Sequence, residues 1–136
     1  MLYGKNLHNR RMKSTLSLSL HLCADSKMKS LNSKYRKINK TTDVLSFPLH
    51  LDLYKSKKKM FFAVDHLGDI FISYPRVKLQ AKDFLITVED EFYHLAAHGL
   101  LHLLGFDHER SMLEEKLMKE EEKKILRKIS KLKKRG

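Results

Sequence analysis

The segment His98-Gly-Leu-Leu-His102-Leu-Leu-Gly105-Phe-Asp-His108 constrains this chain more than any other, because it sets three histidines four and then six residues apart with a glycine between the second and third. Residues at i and i+4 share a helix face about 6 Å apart along the axis, so His98 and His102 can turn both imidazoles to one ion. Gly105 is the residue type that ends a helix in a left-handed conformation, after which the chain can double back and aim His108 at the same point. Neutral imidazoles suit zinc. Three protein ligands with an open fourth position is the pattern of a catalytic zinc, here one ion per chain.

His94 competes for the third place by extending the i, i+4, i+8 series. It lies roughly 12 Å from His102 along the axis, too far to share an ion easily, and is read as a partly buried helix residue. The ligand spacing equals that of the metzincin proteases, H-E-x-x-H-x-x-G-x-x-H, in which the glutamate is the general base. Here that place holds Gly99, so the ligands are kept and the protease's base is missing.

The 136 residues suffice for one core, and residues 1–136 are read as a single domain with a flexible arm at 1–15 and a basic tail at 127–136. Lys and Arg number 28 against 16 acidic residues, a net charge of +12, which favours a polyanionic partner. Residues 27–40 carry Lys27, Lys29, Lys34, Arg36, Lys37 and Lys40 without an acid, and the tail from Arg127 carries further unopposed cations. A charge run is usually a solvated face, but beside a zinc site it points to phosphate and to RNA, with no DNA expected. The lone Cys23 excludes an internal disulfide and fits a reducing compartment. Apolar residues 16–22 alternate with polar ones, unlike the continuous core of an export signal, and no run reaches membrane-spanning length. A soluble, cytoplasmic protein without membrane attachment is expected.

Leu16, Leu18, Leu20 and Leu22 alternate as a half-buried strand. Asp25 or Ser26 then caps a helix with Met28, Leu31 and Tyr35 on its apolar positions. Arg36 to Thr42 reads as a loop, and Val44 to Phe47 as a strand stopped by Pro48. Residues 49–60 read as loop or irregular edge, 61–64 as a short strand and Asp69 to Ser73 as a stronger one. Pro75 opens a helix to about Asp83. Thr87 with Asp90 caps a helix carrying Val88, Phe92, Leu95 and Leu103 inward and ending near Leu104. A last helix from about Ser111, with Leu113, Leu117, Met118, Ile125 and Leu126 apolar, frays into the basic tail. The fold class is α+β: a small mixed sheet packed with helices, the metal site on a helix and the loop after it.

With those residues read, the histidine segment resembles the H-G-x-L-H-L-x-G-[YF]-D-H signature of the YbeY family of bacterial ribosomal-RNA maturation endoribonucleases. Leu31-Asn32 with Tyr35-Arg36, then Thr42-Asp43-Val44-Leu45-Ser46-Phe47-Pro48, and Leu67-Gly68-Asp69-Ile70 resemble the family's other blocks in the same order. The resemblance covers residues 16 to 126. It implies zinc at His98, His102 and His108 and a functional arginine at Arg36. It also implies cleavage of single-stranded RNA, with a role in small-subunit ribosomal RNA 3′ maturation and ribosome quality control, so that ribosomal RNA and the small subunit are the implied partners. Members carry a strand and a helix ahead of the strand at Leu16. Fifteen polar residues stand there instead, which puts that first strand and helix in question.

Arg36 is the residue assigned to the substrate phosphate, since a guanidinium forks onto two phosphate oxygens while staying charged. Asp43 and Asp107 are candidates to orient a ligand histidine. Two other classes compete. A zinc protease would need Glu109 or Glu91 to replace the missing base, and an RNA-binding protein with structural zinc would need a fourth ligand.

Overall fold

The computed structural model describes residues 16–50, 53 and 66–135. The expected arm at 1–15 and the expected strand at 61–64 lie outside these. In chain order the elements are β1 (Ser17–Cys23), α1 (Asp25–Arg36), β2 (Val44–Pro48), β3 (His66–Ser73), α2 (Tyr74–Phe84), α3 (Val88–Leu103) and α4 (Met112–Arg135). The described strands form a mixed sheet of order β1-β3-β2, with β1 parallel and β2 antiparallel to β3. The α+β reading therefore holds.

The central strand β3 carries the core. Ile70 and Ile72 are fully buried and pack with Leu67, Val77, Leu95 and Leu103, which brings β3, α2 and α3 together. Full burial of each aliphatic side chain contributes about 1.5–3 kcal/mol. The alternating leucines of β1 fare differently: Leu18 packs on this core, whereas Leu16, Leu20 and Leu22 stay exposed. The cause is position, because α3 lies over β2 and β3, and β1 stands at the opposite edge of the described sheet from β2.

Local signals set most helix ends. The Ser73 hydroxyl accepts from Arg76 N at 3.2 Å, with Pro75 in the first turn of α2, and the Thr87 hydroxyl accepts from Asp90 N at 3.0 Å to start α3. At α1 the cap differs from expectation. Its N-cap is Ala24, without a side-chain cap bond, because the Asp25 carboxylate instead accepts from the Ser73 hydroxyl at 2.6 Å and from Thr41 Oγ1 at 3.3 Å. This knot ties the starts of α1 and α2 together.

Arg36, expected in a loop, is the last residue of α1, after which Lys37 turns the chain at φ 61°. Buried Asn32 then donates from Nδ2 to the Lys40 carbonyl at 2.8 Å and folds the following loop back. The basic tail also departs from expectation, since α4 stays helical to Arg135. Lys133 closes it onto the start of α3, with Nζ 2.9 Å from Glu89 and 3.5 Å from Asp90, so this charge is not unopposed. Met118 is buried on α4, whereas Leu113 is exposed.

The seat of α3 on the sheet positions everything that follows. Ser46 Oγ donates to the Gly99 carbonyl at 3.1 Å, and a Cβ at Gly99 would stand 2.8 Å from Ile70 Cγ2. Only glycine allows so close an approach. Gly99→Ala should therefore destabilise the fold by about 1–3 kcal/mol through overpacking, less up to about 1 kcal/mol of regained helix propensity. In an Ile70→Ala background the added methyl has room, so the same change should become neutral or stabilising. Urea unfolding of the four proteins measures the coupling, and additive effects would refute the clash.

Candidate metal centre

His98 and His102 project from the last two turns of α3, and the end of that helix delivers the third ring. Gly105, at φ 102°, donates its N–H to the His102 carbonyl at 3.0 Å, while Phe106 N–H reaches back to the Leu101 carbonyl at 3.0 Å. This paired closure is the Schellman arrangement, and it turns the chain sharply enough to return His108 to the helix. One ring nitrogen from each of His98, His102 and His108 lies within 4.8 Å of the other two. The rings tilt or stand edge-on to one another, with centroids 4.7 to 5.5 Å apart.

The donor set suits a metal ion. The Nε2 atoms of His98 and His102 are 3.1 Å apart, close to the roughly 3.3 Å that two ligands of a tetrahedral ion with bonds of about 2.0–2.1 Å require. His102 is held neutral down to about pH 4, first by burial and then by repulsion from His98 and His108, so its lone pair is free at neutral pH. Among the described residues no further histidine, cysteine or carboxylate joins the cluster, which leaves a fourth position open.

The group that orients a ring of the tripod is one that sequence reasoning missed. Glu122 of α4 places Oε2 2.7 Å from His98 Nδ1, so His98 donates that proton and turns its Nε2 lone pair to the cluster. Asp43 and Asp107, the expected candidates, hydrogen-bond to no ligand ring. Asp43 accepts from Val44 N at 2.8 Å and Gln80 Nε2 at 3.2 Å, and Asp107 accepts from Glu109 N at 2.9 Å. Both organise backbone turns beside the site. Glu122 is 24 residues from His98, and its glutamate-rich surroundings carry no local signal.

His94 lies outside the cluster. Its Nδ1 is 3.0 Å from Glu91 Oε1 and its Nε2 3.5 Å from Glu122 Oε1. The hydrogen bond to Glu122 and the neighbouring Glu91 outweigh partial burial and push His94 up to about 9. For Glu122, burial acts upward, but the bonds from His94 and His98 prevail and hold it at about 2. Glu91, considered as a base, is buried against His94 away from the cleft, and Glu109 is an exposed carboxylate 3.9 Å from His108 Nε2.

A cleft of about 520 Å³ opens over the tripod, lined by Arg36, Asp43, Ser46, Pro48 and the loop from Gly105 to Arg110. Arg36 thus reaches the same space as the histidines although 62 positions separate it from His98 (98 − 36). Among the described residues it has no carboxylate partner, so its charge is available. His50 also lines this cleft, and nothing in the sequence singled it out.

Comparisons with known proteins identify the family. A family model described as endoribonuclease YbeY matches residues 3–130, a wider span than the motif blocks cover. Endoribonuclease YbeY of Leptospira interrogans is 43% identical over 136 aligned positions, 93% of each chain. That of Aquifex aeolicus is 38% identical, covering 87% of this chain and 73% of its own. A solution structure of a Thermotoga maritima protein superposes with a TM-score of 0.56 at 30% identity, over 90% of this chain and 75% of the other.

The charges around His94 give a pH prediction for the metal-free protein. His94 is raised from 6.5 to about 9, so its contribution is complete below pH 6.5 and is lost as pH climbs through 9. Thermal midpoints should fall over that window, and His94→Gln should flatten the fall. Parallel pH profiles for the two proteins would refute it.

Proposed function

This chain belongs to the YbeY family of endoribonucleases, hydrolases of phosphodiester bonds, and we propose that it is a zinc-dependent enzyme that cuts single-stranded RNA in the 3′ maturation of small-subunit ribosomal RNA and in ribosome quality control. The observation that carries the reading is the shared cleft, which is lined by Arg36 and by three convergent imidazoles. His98, His102 and His108 hold the zinc, and Arg36 grips the substrate phosphate with a two-pronged bond. Glu122 fixes the His98 ring, and burial keeps His102 neutral. A zinc ion in that place supplies Lewis acidity to a phosphoryl oxygen and to water.

Particular contacts weigh against the competing readings. A metzincin-type glutamate would have to grow from Gly99, where even a methyl meets Ile70 and Ser46. Of the two substitute bases, Glu91 is buried against His94, while Glu109 in the cleft stands beside His108. A purely structural zinc would need a fourth protein ligand, and none joins the cluster among the described residues.

The test is cleavage of a single-stranded precursor of the small-subunit RNA 3′ end, with and without chelator, using His102→Ala to exclude contaminating nuclease. Elemental analysis should give one zinc per chain, with marked loss in His108→Ala and retention in His94→Ala. Equal loss in both would overturn the ligand assignment.

Arg36→Lys separates phosphate handling from metal holding. Charge remains but the fork is lost, so zinc content should stay normal while turnover at saturating RNA falls by on the order of 10²-fold. Turnover equal to the parent's would remove Arg36 from the reaction.

A further inference from the structure

A row of rings crosses the sheet face turned away from α3. The register puts Phe47, Phe71 and His21 on that face, opposite Ser46 and Ile70, which meet Gly99. Tyr35, in the last turn of α1, stands edge-on to Phe47 at 5.3 Å, and Phe47 stands edge-on to Phe71 at 5.7 Å. His21 lies flat on Phe71 at 4.3 Å and 12°, held by Asp69 Oδ1 3.1 Å from its Nε2. The two phenylalanines are half-buried supports, whereas the end rings are open: Tyr35 is 56% exposed and the His21 side chain 43%.

Two observations connect this row to the substrate. Its Tyr35 end adjoins the cleft along the chain, for Tyr35 precedes Arg36 in the last turn of α1 and Arg36 lines the cleft, whereas Phe47 lies on the face opposite Ser46. Positive charge gathers at its Tyr35 end, while its His21 end carries the Asp69 carboxylate. Lys34 Nζ is 5.1 Å from the centre of the Tyr35 ring, Lys37 follows Arg36, and no acid occurs from 27 to 40. Exposed aromatic faces beside unopposed cations are what unpaired nucleotides recognise, with stacking holding the bases and the cations holding the phosphates.

We propose that Tyr35, braced by Phe47, is a stacking subsite for the RNA base adjoining the phosphate held at Arg36, and that His21 on Phe71 extends the platform outward. The proposal rests on the RNA reading of the cleft and adds where the substrate strand leaves it. Stacking requires an unpaired base, so the subsite selects single strands without reading their sequence.

The protein has no tryptophan, so Tyr35→Trp creates a lone fluorophore at the subsite. Zinc-loaded Tyr35→Trp should be quenched saturably by a short 2′-O-methyl oligoribonucleotide. Phe84→Trp should not be, because Phe84 lines a separate groove with Ile86 and Tyr93. Tyr35→Ala should weaken binding roughly 5- to 100-fold, with the loss in cleavage falling on KM rather than kcat, and Tyr35→Phe should restore it. Unchanged thermal melting of Tyr35→Ala would separate this from misfolding, since the ring is exposed. If Tyr35→Ala binds and cleaves RNA with the parent's KM and the tryptophan is not quenched, the subsite is refuted while the RNA reading stands. If the parent neither binds nor cleaves RNA, both fall.

Discussion

The seat of α3 on the sheet is the contact on which the site depends. A missing side chain at Gly99 lets the helix backbone settle against Ile70 and accept a hydrogen bond from Ser46. That approach fixes the height and rotation of the helix that carries His98 and His102. It also brings Ser46 and Pro48 of β2 to the edge of the space those rings share. The same lack of room excludes the glutamate that a zinc protease places after its first histidine. One packing constraint thus shapes the cleft and bars the metzincin glutamate from position 99.

The second support comes from α4, a long helix built almost wholly of strong helix formers. It is rich in charge, with one fully buried residue, Met118. Its attachment is electrostatic at two points: Glu122 lies between His94 and His98 near the middle, and Lys133 clamps Glu89 and Asp90 at the far end. The Lys133 pairs are exposed and individually weak, but they sit where the end of one helix meets the start of its antiparallel neighbour. Glu122 is more enclosed. It couples the seating of α4 to the orientation of a ligand ring, so that folding and assembly of the tripod are parts of one event.

Glu91 and Glu122 surround His94 behind the ligand rings, while the cleft itself is lined by Arg36 and Arg110 together with Asp43, Asp107 and Glu109. Glu122 on the far side orients His98, and the open side offers a polyanion the Arg36 cation.

The sequence alone determined the features whose causes lie within about one helical turn. Those are the i, i+4 pair His98 and His102, the reversal at Gly105, the start of α2 at Pro75, the cap at Thr87, and the alternation that made β1. The family could also be recognised, since its motif blocks are short contiguous words. Only the tertiary structure decided what depends on residues meeting across the fold. It chose Glu122 over Asp43 and Asp107 as the partner of His98. It drew the Asp25 carboxylate from its helix cap to Ser73, carried α4 through its basic tail to Lys133, and left Leu20 and Leu22 exposed on a strand that reads as half-buried. The reason is the range of the forces involved: periodicity and capping act between near neighbours, whereas ion pairs, burial and the fit of a helix on a sheet depend on which distant segments arrive at the same place.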